Sequence, residues 1–214
     1  PFALRRMIAV ARPRSSSLAS MPNRRRIRTM NLSEKFASAL SHDDFLSRYA
    51  TAEQRSRWDA VGASITLSDA QLETLRGFGR ELNVLCMAGA WCGDCIEQCP
   101  IFRRFELASP KIRLRYVDRD HDEELRSSLT ICGAPRVPQT ILMNEDFEPL
   151  LRGPDRPLSK YRRLATQLLG ANCPTGLSVD AELQRAAVSE WLALFEHAQL
   201  IARLSPRLRA RHGD

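Results

Sequence analysis

The chain of 214 residues is 43% hydrophobic and 27% charged, which suits a globular domain with helices to spare and leaves no apolar run long enough to span a bilayer. Its net charge of +7 sits at one end: residues 1–30 hold Arg5, Arg6, Arg12, Arg14, Arg24, Arg25, Arg26 and Arg28 and no acid, so the rest carries a net −1 and gives no case for nucleic-acid binding. Six cysteines are too sparse for a disulfide-stapled scaffold and fit reduced thiols in the cytoplasm.

Residues 1–30 are rich in Arg and Ser, carry Pro13 and Pro22, and cannot bury a core, so a disordered basic tail is expected. They lack acids, as mitochondrial-type transit segments do, and their apolar pieces are too short for a secretory signal. The other reading of this stretch is a mis-called start, with Met21 or Met30 as the true one. Residues 31–79 read as a helical N-terminal extension. Ser33 is expected to cap a helix carrying Phe36 and Leu40, and a second begins near Asp43 with Phe45, Leu46 and Tyr49. Thr51 with Gln54, and Ser68 with Gln71, have the spacing of capping boxes. Trp58 and Tyr49 read as core.

Leu82 to Ala88 is a near-continuous apolar run, the pattern of a strand buried on both faces. Trp91-Cys92-Gly93-Asp94-Cys95 follows, then a helical pattern with Ile96, Cys99, Phe102 and Phe105. Pro100 inside it predicts a kink. Lys111 to Val117 alternates as a strand, and Asp122 can cap a short helix through Leu125 and Leu129. Val137 to Met143, the turn Asn144-Glu145-Asp146 and Phe147 to Leu151 read as a hairpin. Gly153-Pro154 breaks the chain. Pro157 opens a helix that Gly170 ends. Residues 171–214 read as a linker, a long amphipathic helix from about Asp180 to Leu204 stopped by Pro206, and a frayed basic tail. The stripe of Leu183, Ala187, Trp191, Phe195, Ala198 and Ala202 is apolar enough to cover this domain or a second copy of the chain.

The chemistry concentrates in Cys92 and Cys95. Two cysteines separated by two residues, where a strand meets a helix, form a redox-motif arrangement. The first turn of a helix presents unpaired N–H groups and partial positive charge, which favours the thiolate that attacks disulfides. The spacing lets the second thiol resolve a mixed disulfide. A metal or iron–sulfur site through Cys92, Cys95 and Cys99 is an alternative, as is an inert pair. His42, His121, His197 and His212 fall in unrelated segments, and no phosphate loop or dinucleotide fingerprint is present, so no cofactor is implied.

The order of these landmarks resembles the thioredoxin superfamily over roughly residues 80–170: strand, Trp91, Cys92, Cys95, Pro100, Gly133, Val137-Pro138, hairpin, Gly153. The Trp-Cys-Gly-Asp-Cys form is similar to a group of bacterial thioredoxin-like proteins. The resemblance implies an α/β three-layer sandwich, a central mixed sheet flanked by helices, with extra helices at both ends. It implies Pro138 in the cis form beside Cys92, with Trp91, Val137, Pro138 and Gly153 lining the place where an extended substrate docks. It also implies thiol–disulfide oxidoreductase activity on disulfide-containing proteins, recycled by an external reductase or low-molecular-weight thiol. No nucleic acid or membrane partner is implied.

Two departures stand out. Where thioredoxins carry a buried aspartate six residues before the first motif cysteine, this chain has Cys86, and the lysine paired with it aligns with Leu114. Proton transfer at Cys95 therefore needs another group, and Asp94 is the nearest candidate. Asp94 could equally serve only the helix dipole. Cys86 and Cys99 are expected in the core, Cys132 is a candidate regulatory thiol, and Cys173 is expected to be exposed. Arg136, beside Pro138, reads either as a solvated loop charge or as an attraction for acidic substrate segments. A contrasting function is a binding module in which the dithiol is slow or vestigial.

Overall fold

The structure, a computed structural model, describes residues 30–170 and 182–213; the expectations for residues 1–29, for the linker and for Cys173 lie outside them. Four helices come first: α1 (Leu32–Ser38), α2 (His42–Tyr49), α3 (Ala52–Ser64) and α4 (Asp69–Arg76). The two capping boxes form as read, with Thr51 and Gln54 opening α3 and Ser68 and Gln71 opening α4, each satisfying two backbone N–H groups at once. The earlier starts fall differently. Asn31, not Ser33, caps α1, and Ser41 caps α2 one residue before His42. Both are good caps because a short polar side chain can turn back to an unpaired N–H.

The sheet consists of β1 (Leu82–Ala88), β2 (Ile112–Asp118), β3 (Gln139–Met143) and β4 (Pro149–Arg152), in the order β2-β1-β3-β4. β1 runs parallel to β2 and antiparallel to β3, and β3 pairs antiparallel with β4. Every residue of β1 is buried, as a central strand covered on both faces must be. Between β1 and β2 runs α5 (Gly93–Ala108), which continues unbroken through Pro100. A short α6 (Glu123–Ser128), capped by Asp122 as expected, precedes β3. The β3–β4 turn is longer than the sequence suggests. Phe147 adopts a left-handed φ of 60° and packs on Phe36 instead of joining β4. After β4 come α7 (Leu158–Leu169), α8 (Leu183–Leu204) and α9 (Pro206–His212).

Helices cover both faces of the sheet. Strand residues alternate in direction, so Cys86 and its register partner Tyr116 share one face. On that face lie α2, with Phe45 stacked on Tyr116, and α5, whose Cys99 carbonyl accepts from the Tyr116 hydroxyl at 3.2 Å. On the other face α1 places Phe36 beneath Arg113 and Arg115, and Lys35 ties α1 to the α6 cap at Asp122.

The C-terminal helix covers this same domain. Trp191 meets Phe102 edge-on at 4.6 Å and Phe195 meets Phe105 at 5.2 Å. Gln199 exchanges two hydrogen bonds with the backbone of Arg80, 2.7 and 2.8 Å long. The frayed tail is not found. Pro206 opens α9 with Ser205 as its cap, because a proline that cannot continue one helix is well suited to the first turn of the next.

Candidate active site

The turn from β1 into α5 is built around close contacts. Gly89 leaves β1, and a Cβ there would come within 2.8 Å of the Trp91 ring, so glycine lets that ring fold back over the chain. Trp58 of α3 donates to the Ala90 carbonyl at 3.0 Å and fixes the turn from outside. Cys92 is the N-cap of α5. Its sulfur makes no capping hydrogen bond of ordinary geometry, but the N–H groups of Asp94 and Cys95 lie near it and favour its charge.

The structure brings Cys92 and Val137-Pro138 together from opposite ends of the motif order. The Val137–Pro138 peptide is cis, and Cys92 Sγ lies 3.5 Å from the Val137 carbonyl oxygen. That loop is pinned from below. Gln139 donates to the carbonyls of Leu129 and Arg136 at 2.9 and 2.8 Å, and Arg152 donates to Gln139. Cys132 and Gly133, both at left-handed φ, make the two-residue turn between Ile131 and Ala134 that leads into it. Cys132 is exposed there.

The dithiol is open only at its rim. Cys92 is 8% exposed and Cys95 is fully buried, so even the first sulfur is largely covered. The Gly89 N–H approaches the Cys95 sulfur at 3.5 Å. Burial opposes charge on Cys95, but hydrogen bonds from the Cys92 and Cys99 thiols and from Gly89 outweigh it. The pair loses its first proton below the ordinary thiol range. Its second proton is held far above that range, because a proton shared with an already charged Cys95, together with burial, resists removal.

Asp94 sits in a charged brace. Arg156 reaches it at 2.6 Å and Lys160 at 2.6 Å, and Lys160 also pairs with Glu97. Burial alone would raise the Asp94 carboxyl, but the bonds from Arg156 and Lys160 hold it below the ordinary carboxylate range. A carboxylate held ionised in this way can accept a proton but has none to give near neutral pH. Arg156 and Lys160 stand more than sixty positions along the chain, and no local pattern points to them. Arg119, also unforeseen, lies with its guanidinium 4.5 Å from the ring centre of the half-exposed Trp91 and pairs with Asp120. Arg136 is exposed and pairs loosely with the buried Asp155 at 3.4 Å.

Gly153 has a packing reason. A Cβ there would strike Thr140 Oγ1 and come within 2.7 Å of the Trp191 ring. The close approach expected of a substrate is made by α8 instead. Behind Cys95, Cys86 and Cys99 are both fully buried, with their sulfurs 3.9 Å apart. Among the described residues, no three His, Cys, Asp or Glu side chains are grouped as a metal ion would require, and no helix is long and apolar enough to cross a membrane.

A thioredoxin family model matches residues 39–160, reaching into the N-terminal helices beyond the span that the motif order suggests. Two solved structures are similar, each with 21% identity and a TM-score of 0.59. One is a protein of unknown function, PA1234, from Pseudomonas aeruginosa, aligned over 78% of this chain and 97% of its own. The other is an HIV epitope scaffold of the 4E10 series, aligned over 77% of this chain and 96% of its own. At that identity the likeness speaks for the fold. No curated protein matches the chain.

Proposed function

Since the chain belongs to the thioredoxin family, we propose that it is a thiol–disulfide oxidoreductase that reduces disulfides through Cys92 and Cys95. One observation carries the reading: Cys92 is the residue that opens α5, and its sulfur lies 3.5 Å from the carbonyl that precedes cis-Pro138. A strand-like substrate segment laid along Val137 and Pro138, as a chain added at an edge, would bring its disulfide to this sulfur. Trp91, with Arg119 over its ring, would flank that segment on its outer side. Gly153 drops out of this arrangement, since Trp191 occupies its open side.

Cys92 attacks one sulfur of the substrate disulfide. The bond from Cys92 to that sulfur forms, the substrate S–S bond breaks, and its electron pair leaves on the second substrate sulfur. Cys95 then attacks Cys92, releasing the first substrate sulfur as a thiolate and leaving the Cys92–Cys95 disulfide. Cys95 needs no solvent access for this step, because its target belongs to the same chain. An external dithiol reductase or low-molecular-weight thiol restores the pair, in a reducing compartment such as the cytoplasm. The bacterial Trp-Cys-Gly-Asp-Cys proteins are the suggested kin. The test is turnover of an insulin-type disulfide with dithiothreitol: Cys92→Ser should fall to background, and a variant as fast as the parent overturns the reading.

The low exposure of Cys92 and the thiol at Cys86 in place of a carboxylate favour a second reading, a docking module whose dithiol is slow. Cys95→Ser separates the two. Stable mixed disulfides at Cys92 with cell proteins support the enzyme, and none at all supports the module.

A further inference from the structure

Cys86 and Cys99 are left unused by this cycle, and their placement is specific. Cys86 points from β1 and Cys99 from α5 into the same interior space, with their sulfurs 3.9 Å apart. Neither has any solvent exposure. Cys99 follows Cys95 by one helical turn, so the two share a face of α5, and both are fully buried. Cys92, Cys95, Cys99 and Cys86 therefore form a continuous file of thiols from the rim to the sheet. Only the first has any surface, so whatever reaches the last pair passes through Cys95.

We infer that Cys86 and Cys99 are a second, internal dithiol that re-reduces the oxidised Cys92–Cys95 pair and lets one chain reduce two substrate disulfides without an external donor. This rests on the exchange chemistry proposed above. After the first turnover, Cys99 as thiolate attacks the Cys95 sulfur of the Cys92–Cys95 disulfide. The Cys95–Cys99 bond forms, the Cys92–Cys95 bond breaks, and its electron pair leaves on Cys92, which takes up the proton that Cys99 gave. Cys86 as thiolate then attacks Cys99. The Cys86–Cys99 bond forms, the Cys95–Cys99 bond breaks, and Cys95 receives the electron pair and the proton from Cys86. One disulfide has moved inward, the rim is reduced again, and nothing outside the chain was consumed. A disulfide needs its sulfurs about 2.05 Å apart, so the facing sulfurs must close the remaining gap by side-chain rotation. Burial raises Cys86 and Cys99 above the ordinary thiol range, so the thiolate is scarce and the inward transfer is slower than the first turnover.

The test is a donor-free stoichiometry. A Cys132→Ser/Cys173→Ser background is fully reduced, freed of reductant and mixed with excess insulin-type disulfide. Two substrate disulfides reduced per chain, the second in a slower phase, is the expected result, and adding Cys86→Ala should remove the second phase. A count of one in the background, or of two that survives Cys86→Ala, overturns the internal dithiol. A count of zero overturns the oxidoreductase reading itself. The unsubstituted chain provides a check that needs no variant to fold. After the same reaction, acid-quenched, alkylated and digested, it should yield a linked Cys86–Cys99 peptide pair by mass spectrometry, and alkylated Cys86 and Cys99 in its place overturn the proposal.

Discussion

The two halves of α5 are held by different forces. Its first turn is fastened by charge, with Asp94 and Glu97 reaching Lys160 of α7 and Asp94 also meeting Arg156 in the loop before it. Its middle is fastened by apolar contact, with Phe102 and Phe105 locked to Trp191 and Phe195 of α8. The charged end is partly solvated, where ion pairs are worth little in stability but change the field around a nearby thiol. The aromatic end is dry and holds most of the packing energy. Reactivity and stability are thus set at separate places on one helix, and substitutions should be able to move one without the other.

The largest effect is expected on the chemistry alone. Cys92→Ser should reduce disulfide turnover to background while leaving the urea midpoint close to the parent, and a shifted midpoint would join the two halves again. Next, Trp191→Ala should cost about 3–5 kcal/mol of stability, the range for removing a buried large aromatic. Urea unfolding measures it, and in buffer the rate of Cys92 alkylation should stay near the parent value. A fall in alkylation matching the stability loss would mean that the aromatic lock also sets the site.

Asp94→Asn should do the reverse. It removes an anion that opposes charge on Cys95 and frees Arg156 and Lys160, so the pH midpoint for alkylating the dithiol should move down. A midpoint that rises contradicts the electrostatic account. The same carboxylate gives the stability a pH signature. Its folded pKa lies below the ordinary value of 3.8, so its contribution is complete above that value and is lost as pH falls through the lower folded one. Between those limits the parent should lose stability faster than Asp94→Asn in acid-denaturation curves. The smallest effect belongs to Arg119→Ala, where loss of the cation over Trp91 should cost about 0.5–1 kcal/mol, measured by urea unfolding. A larger loss would mean that Arg119 supports more than the ring.

Legibility in the sequence followed the range of the interaction. The boxes at Thr51 and Ser68 span three residues each and were readable, as were the Cys92–Cys95 spacing and the buried run of β1. The stripe of α8 showed that it covers something apolar, but its target, Phe102 and Phe105, lies some ninety positions away. Ser205 is legible as a cap only where Pro206 is taken as a beginning, and after a long apolar stripe a proline signals an end just as well. The brace at Asp94 left no trace, because a surface arginine and a surface lysine look the same whether or not a distant acid meets them. The 3.9 Å approach of Cys86 and Cys99 depended on which face of β1 meets α5, and each taken singly looked like filler.

The exchange of two hydrogen bonds between Gln199 and Arg80 ties the last long helix to the residues just before the central strand. Expression boundaries follow from it. A fragment trimmed to residues 30–170 keeps every cysteine of the file but bares Phe102, Phe105 and the open side of Gly153, and it should come out of cells as inclusion bodies. Extending the same fragment through residue 204 should restore much of the soluble yield.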